Sequence, residues 1–394
     1  MNPVDNRPYG FRDPNNEELY TTPRTDFKNV TPDGVSAAVE GYFRFPAIWL
    51  GIALEDEQAR FFDPKLHHEI VYRRDLSCNI KVCAKRDGTF LFDFSQWPLA
   101  PIVRIPGYEH PNEMYRIPPE NEKQRKLADS YGVLRAQVMN VHQACLSTAE
   151  ERLFGIYAPA GVPVASQNTH KSLSFDEAHG YHDNVYDMHA LARNVANNKD
   201  NVSKPALHRR VVDLSAIDLS FTLLDNILRT GDSGIVQIIE AVFIAARRDS
   251  EGRSGECVML AWGASEQLVS ILWNRLIVES KKDKDIGEKI GGERLKKLRG
   301  RDYTASVMVE ILEMTGKVDS ELYRHLEIAR KTRNKWAHEM RMPKHSEAYV
   351  CLEAARRLLK LALGIDLLIQ SGGSGGGPTW WIWGWERTLR NGGP

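Results

Sequence analysis

"NIKVCAKRDGTFLFDF", residues 79–94, decides the fold class. Ile80 and Val82 alternate with polar neighbours, Asp87-Gly88 supplies the turn, and Phe90, Phe92 and Phe94 alternate on the return. Successive side chains of a strand project to opposite faces, so the pattern predicts a β-hairpin with one apolar face. Cys78 and Cys83, five apart, should then face opposite sides and act as packing residues rather than ligands.

Working outward, strand-like patterning extends from about residue 36 to about 105, and proline-rich "PLAPIVRIPGYEHPNEMYRIPP" closes it. Residues 121–153 read as one long helix, with Leu127, Tyr131, Leu134, Val138 and Val141 at helical spacing. From about 212 onward the reading is helical nearly throughout. Leu219, Leu223 and Ile227, then Ile235, Ile238, Ile239, Val242 and Phe243, predict two helices broken at "RTGDSG". Further helices are expected from about Val258 to Ser280, from Tyr303 to Met314, around residues 330–340, and from Ser346 to Ile369. The expected fold class is therefore α+β, a β-containing N-terminal domain followed by an all-α helical bundle. The expected organisation is an extended lead-in (1–35), an α+β domain (36–160), a polar connector (161–210), a helical domain (211–370) and a tail (371–394).

At 394 residues the chain is long enough for two or three domains. Lys plus Arg and Asp plus Glu balance at 52 each, so net charge offers no argument for nucleic acid and only local patches can. Five cysteines without CxxC spacing suit a reducing compartment better than a disulfide framework or a zinc site. The polar, proline-rich start lacks the pattern of a signal peptide, and no apolar run reaches the roughly 18 residues that would span a bilayer. A cytoplasmic protein without a membrane partner is expected.

"RKTRNKWAHEM", residues 330–340, carries the chemistry. At about 100° per residue, Arg330, Asn334 and His338 lie along one stripe of a helix, whereas Arg333 lies about 140° round from His338. Metal-free RNA cleavage needs a group that exchanges protons near neutral pH and a fork that holds phosphate, which histidine and arginine supply. Asn334 could orient the imidazole or donate to the phosphate. "KKDKDIGEKIGGERLKKLRGR", residues 281–301, holds nine Lys or Arg against four acids. Such a run suits backbone phosphates, with Lys296, Lys297, Arg299 and Arg301, and Lys335 beside the motif, as candidate RNA contacts; a solvated connector is the plain alternative.

"RNKWAH" (333–338) resembles the R-x4-H signature of the HEPN family, with Arg333, Asn334 and His338 at the matching positions. An earlier helix with an acidic residue, "GASEQLVSILWNRL" with Glu266, and a long amphipathic helix after the motif add to a resemblance that covers about residues 255–370. It implies an α-helical bundle that dimerises, with Arg333 and His338 of both protomers lining one cleft. It also implies a metal-independent endoribonuclease, as in prokaryotic toxin and antiviral defence (abortive infection) systems, that cuts RNA by 2′-hydroxyl attack. Catalytic roles fall on Arg333, His338 and Asn334, supporting roles on Glu266 and Arg330, and no cofactor or metal is implied. Other members only bind or dimerise, so a non-catalytic RNA-binding or protein-interaction module is the alternative. The N-terminal domain would sense a trigger ligand or protein, or select RNA.

"HGYHDNVYDMH" places His179, His182, Asp183, Asp187 and His189 together, but matches no metal-site spacing and reads as a solvated loop. "SGGSGGGPTWWIWGWERTLRNGGP" is a glycine linker followed by four of the nine tryptophans, which calls for a partner surface, docking on this chain, or a non-native origin. No Walker loop, GxGxxG after a strand or GxSxG elbow is present.

Overall fold

The computed structural model describes residues 39–44, 48–52, 69–100, 122–156, 170–171, 210–300 and 303–369. The lead-in, the histidine-rich stretch 179–189, Arg301 and the tryptophan tail lie outside the described residues. Seven strands are described: β1 (Val39–Phe43), β2 (Ile48–Leu50), β3 (Ile70–Asp75), β4 (Lys81–Lys85), β5 (Thr89–Asp93), β6 (His170–Lys171) and β7 (Arg210–Val212). Nine helices accompany them: α1 (Glu122–Phe154), α2 (Leu214–Leu228), α3 (Ser233–Ser250), α4 (Ser254–Ser280), α5 (Lys284–Gly287), α6 (Gly292–Leu298), α7 (Ala305–Met314), α8 (Ser320–Glu339) and α9 (His345–Leu363). A small β region followed by a mostly helical part is the expected α+β class.

The hairpin is β4 and β5, antiparallel, with Val82 opposite Phe92 and Ala84 opposite Phe90. Gly88 closes its turn at φ +87°, where L side chains are strained, and its N–H donates to the Lys85 carbonyl at 3.0 Å. The sheet runs β3-β4-β5-β1-β6, and β2 pairs separately with β7 in parallel. Period-two alternation sorts the hairpin as expected. Ile80, Val82, Phe90, Phe92 and Phe94 join the main core, while Cys83 and Leu91 meet Val39 in a small second cluster.

Helix α1 packs between this sheet and α2 and α3. Its apolar spacing only partly located its buried side, since Leu127 is 43% exposed whereas Val138 and Val141 are fully enclosed. What the spacing did not show is how many polar groups α1 takes inside from Arg135 onward. Arg135 pairs with Glu40 of β1 at 2.9 Å, and Gln143 and Ser147 accept from the guanidinium of Arg44 at 3.1 and 3.3 Å. Asn140 donates to Glu240 of α3 at 2.7 Å, and Glu150 pairs with Arg210 of β7. His142 is enclosed by Phe90, Phe92 and Phe221, the last stacked at 4.1 Å. The Tyr42 hydroxyl meets its Nδ1 at 2.7 Å and Ser220 meets its Nε2 at 3.1 Å. Because Ser220 donates its own proton to the Ile217 carbonyl, Nε2–H must be the donor to Ser220 and Nδ1 the acceptor from Tyr42.

One contiguous apolar cluster runs from Tyr42 through α1 to Ile369, so the sheet and the helices share a core. Helix α2 is tied to β3 and the turn after it: Tyr72 donates to Asp218 at 2.6 Å, and Ser77 donates to Asp225 from both its hydroxyl and its N–H. Helices α3, α4 and α9 form the centre of the helical part, and α7 and α8 pack on α4. The last helix is shorter than its apolar pattern predicted. It ends at Leu363 because Gly364 takes φ +69° and turns the chain back, its N–H donating to Lys360. Residues 281–300, read as a basic run suited to backbone phosphates with a solvated connector as the alternative, contain α5 and α6, preceded by Asp283 and Gly291 respectively. All five cysteines are unpaired, and no helix among the described residues is long and apolar enough to cross a membrane.

A Cβ on Gly88 would stand 2.9 Å from Ile48 Cγ1 and 3.1 Å from the Ile48 carbonyl, in addition to the unfavourable φ. Gly88→Ala is therefore expected to cost about 1–3 kcal/mol, measured by urea unfolding. Burial and the nearby Arg44 press the His142 imidazole down from 6.5 to about 3. Below about pH 6.5 the unfolded chain thus binds a proton that the folded chain refuses, and stability falls toward pH 3 by up to about 1.4 kcal/mol per pH unit. His142→Gln, which cannot take up that proton, should lower stability at pH 7 but flatten its decline between pH 6 and 4; an unchanged slope would remove His142 from the acid response.

Candidate functional site

Helix α8 begins where Asp319 accepts the Leu322 N–H at 2.8 Å and ends at Met340, which adopts φ +53°. The chain then reverses into α9, and the reversal is held by Arg341 on Glu347 at 2.5 Å and by the Lys344 N–H on Glu347 at 2.8 Å. Leu322, Leu326, Ala329 and Thr332 face the core. Trp336 continues that stripe and lies against the first turn of α4, where a Cβ on Gly255 would be 2.8 Å from its Cε2.

This seating fixes the orientation of the motif. Arg333 lies beside the buried stripe and is half-buried; its Nη1 donates to Asn334 Oδ1 at 3.2 Å, and its Nε is buried without a hydrogen-bond partner. His338, two residues past Trp336, turns to the opposite side and is exposed. Arg333 and His338 make no hydrogen bond to each other, and His338 has no ion-pair partner among the described residues. Within one copy of the chain the two groups therefore point about 140° apart, as the helical period requires.

The supporting residues are distributed differently from the expectation. Both Arg330 Nε and Nη2 are taken by Glu327 at 2.9 Å, which leaves that guanidinium neutralised. Asn334 is engaged by Arg333 rather than by the imidazole of His338. Glu266 is half-buried on α4 and bonds neither Arg333 nor His338; its backbone carbonyl accepts from Ser270. Of the candidate phosphate contacts, Lys297, Arg299 and Lys335 are exposed, and Lys296 pairs with Glu293 at 2.9 Å. The basic segment is not a loose strand of charge. Trp273 of α4 donates to the Leu298 carbonyl at 2.7 Å and stacks on Tyr303 at 5.2 Å, pinning the end of α6 to the bundle.

One titratable pair escaped the sequence. His345, the first residue of α9, meets Asp249 near the end of α3, Nδ1 to Oδ1 at 3.0 Å. Ninety-six residues separate them, and no spacing rule connects a lone aspartate to a histidine that far along the chain. No family model matches the chain, and no curated protein or solved structure matches it either.

Gly255 is the position through which the seating of the motif helix can be tested. Gly255→Ala should destabilise by about 1–3 kcal/mol, because the methyl group would displace the Trp336 indole. In a Trp336→Ala background the clash is gone, and the roughly 1 kcal/mol helix preference of Ala over Gly should make the same change neutral or stabilising. Thermal unfolding of the four proteins reads the coupling, and an equal cost in both backgrounds would show that the indole does not rest on Gly255.

Proposed function

We propose that the chain is a metal-independent endoribonuclease whose active site is assembled from the motif ends of two copies. The observation that carries this reading is the chemical availability of the motif. His338 is exposed with no carboxylate on it, and Arg333 holds a buried Nε with no partner and contacts only a neutral amide, while neighbouring Arg330 is fully committed to Glu327. An arginine of this kind can grip a phosphate in a fork and offset charge that grows on its oxygens. A histidine of this kind can transfer a proton near neutral pH.

The reaction is a transesterification. The ribose 2′-oxygen attacks phosphorus and its proton leaves to a base, while the bond from phosphorus to the 5′-oxygen breaks and that oxygen takes a proton from an acid. Products are a 2′,3′-cyclic phosphate and a 5′-hydroxyl. Because Arg333 and His338 diverge on one helix, the phosphate held by Arg333 of one copy is served by His338 of a second, and dimerisation through the helical part is part of the proposal. The exposed Lys297, Arg299 and Lys335 give backbone attraction that weakens with salt. An activity of this kind fits a cytoplasmic toxin or anti-phage defence protein, with the sheet-bearing part as the sensor or RNA selector.

The same divergence of Arg333 and His338 favours a second reading, a non-catalytic module that binds RNA or a protein partner through the basic face. Incubating wild type, Arg333→Ala and His338→Ala with total RNA in EDTA, and mapping product ends, separates the two. Cleavage with cyclic phosphate ends, reduced at least 100-fold in either variant, is expected. Binding without cleavage by all three proteins would leave only the module.

A further inference from the structure

We infer that His345, held by Asp249, is a second proton-transfer group of the same RNA-cleaving site and serves as its general base, with Asp249 as its positioning residue. The inference rests on the ribonuclease reading and adds a base to it, since the reaction needs a base and an acid at once and the phosphate held by one Arg333 is served by one His338, that of the second copy.

Four helix ends meet at this place. Asp249 belongs to the last turn of α3, Ser254 and Gly255 to the first turn of α4, Trp336 to the last turn of α8, and His345 begins α9. Ser254 Oγ lies 3.5 Å from Asp249 Oδ1, and Trp336 rests on Gly255, so the dyad and the motif helix share the same turn of α4. The dyad thus lies toward the Trp336 side of α8, whereas His338 faces the other side, so the acid that meets it across the cleft is His338 of the second copy.

The dyad has the geometry of an oriented base. The Asp249 side chain has no solvent exposure, whereas the His345 side chain is 39% exposed. A carboxylate can only accept from the imidazole, so Nδ1 carries the proton and Nε2 presents its lone pair away from Asp249. Asp249 Oδ2 is buried and has no hydrogen-bond partner. The carboxylate charge is therefore answered chiefly by the imidazole, and an imidazolium formed on taking up the 2′-hydroxyl proton meets an unspent negative charge in a poorly solvated place. The positive end of α9 works the other way, but its partial charge is smaller than that of a buried carboxylate in direct contact.

The other ionisable groups nearby are held in one state or paired. Burial pushes the thiols of Cys257 and Cys351 up, the latter to about 12, and hydrogen bonding to the Lys344 N–H holds Glu347 below its ordinary range. Arg248 of α3 and Arg253 of the α3–α4 connection are paired with Glu251 and Glu256, and α8 contributes Trp336. In the balanced step, His345 Nε2 receives the 2′-hydroxyl proton as the 2′-oxygen bonds to phosphorus. Protonated His338 gives its proton to the departing 5′-oxygen.

The test uses the full chain and a short RNA of defined sequence in EDTA, with wild type, His338→Ala, His345→Ala and Asp249→Asn compared across pH 5 to 9. Expected results are a loss of about 100-fold in His345→Ala that added imidazole partly restores, and a loss of about tenfold in Asp249→Asn with the acidic limb of the rate profile moved to lower pH. Circular dichroism establishes folding; if Asp249→Asn does not fold, the imidazole rescue of His345→Ala decides, because a purely structural histidine would not be rescued. Cleavage by wild type that is lost in His338→Ala but within threefold of normal in His345→Ala, with no change of profile, would overturn the dyad and leave the ribonuclease reading standing. Intact RNA with wild type would overturn both.

Discussion

A helix with arginine, asparagine, histidine, glutamine and glutamate on its buried side can be enclosed only if each polar group meets a partner as it leaves water, since an unmet buried group costs on the order of 1–3 kcal/mol. Helix α1 meets that constraint by drawing partners from four elements. Glu40, Tyr42 and Arg44 come from β1 and the residue after it, Ser220 from α2, Glu240 from α3, and Arg210 from β7. Each pairing fixes a distance between elements far apart in sequence. The sheet, the first helical pair and the parallel β2–β7 ladder are therefore positioned relative to one another by the polar side of α1, and the apolar cluster fills the space that this frame defines. Sites of this kind contribute less to net stability than to uniqueness, because an apolar helix of similar volume could pack in several registers whereas this one has partners in only one.

The motif end of the bundle inherits its rigidity from that core at one remove. Helices α3 and α4 are both held deep in the structure, and their junction at residues 250–254 presents Asp249 and Gly255 to the ends of α9 and α8. A bulky aromatic on a glycine and a histidine on a buried carboxylate are short-range, directional contacts. They hold the last turn of α8 and the first of α9 and leave other groups open: His338 exposed, His345 partly exposed with only its Nδ1 on Asp249, and Arg333 hydrogen-bonded to the amide beside it.

How much of this was legible in the sequence varied with the range of the interaction. The hairpin at 79–94 was readable because period-two alternation and an Asp-Gly turn are local, and β4 and β5 follow it closely. The break between α2 and α3 at "RTGDSG" was readable for the same reason, with Asp232 accepting the Gly234 N–H at 2.8 Å. The end of α9 was misjudged, since Ile365, Leu367 and Ile369 prolong an apolar pattern although Gly364 has already turned the chain. The fates of Arg330 and Asn334 were open, because each had a stripe of possible partners and only the folded chain decides which is in reach. The Asp249–His345 contact and the polar burial of α1 were not legible at all. They join residues 60 to 103 positions apart, and nothing in a single sequence marks a buried aspartate from an exposed one.

The parallel pairing of Ile48–Leu50 with Arg210–Val212 has a consequence for how the protein is made. The ladder closes a loop of roughly 160 residues, and non-local pairings of this span form late because the entropy of closure precedes the reward. During synthesis, β2 emerges long before its partner and waits as a short strand with an open edge while the connecting chain is still being added. The sheet-bearing part is thus completed only when β7, which follows α1 in the chain, has been made. A fragment that stops before residue 210 would carry the hairpin and α1 but neither β7 nor the Arg210 that answers Glu150, and would be held on the exit side as an aggregation-prone intermediate rather than as a finished domain.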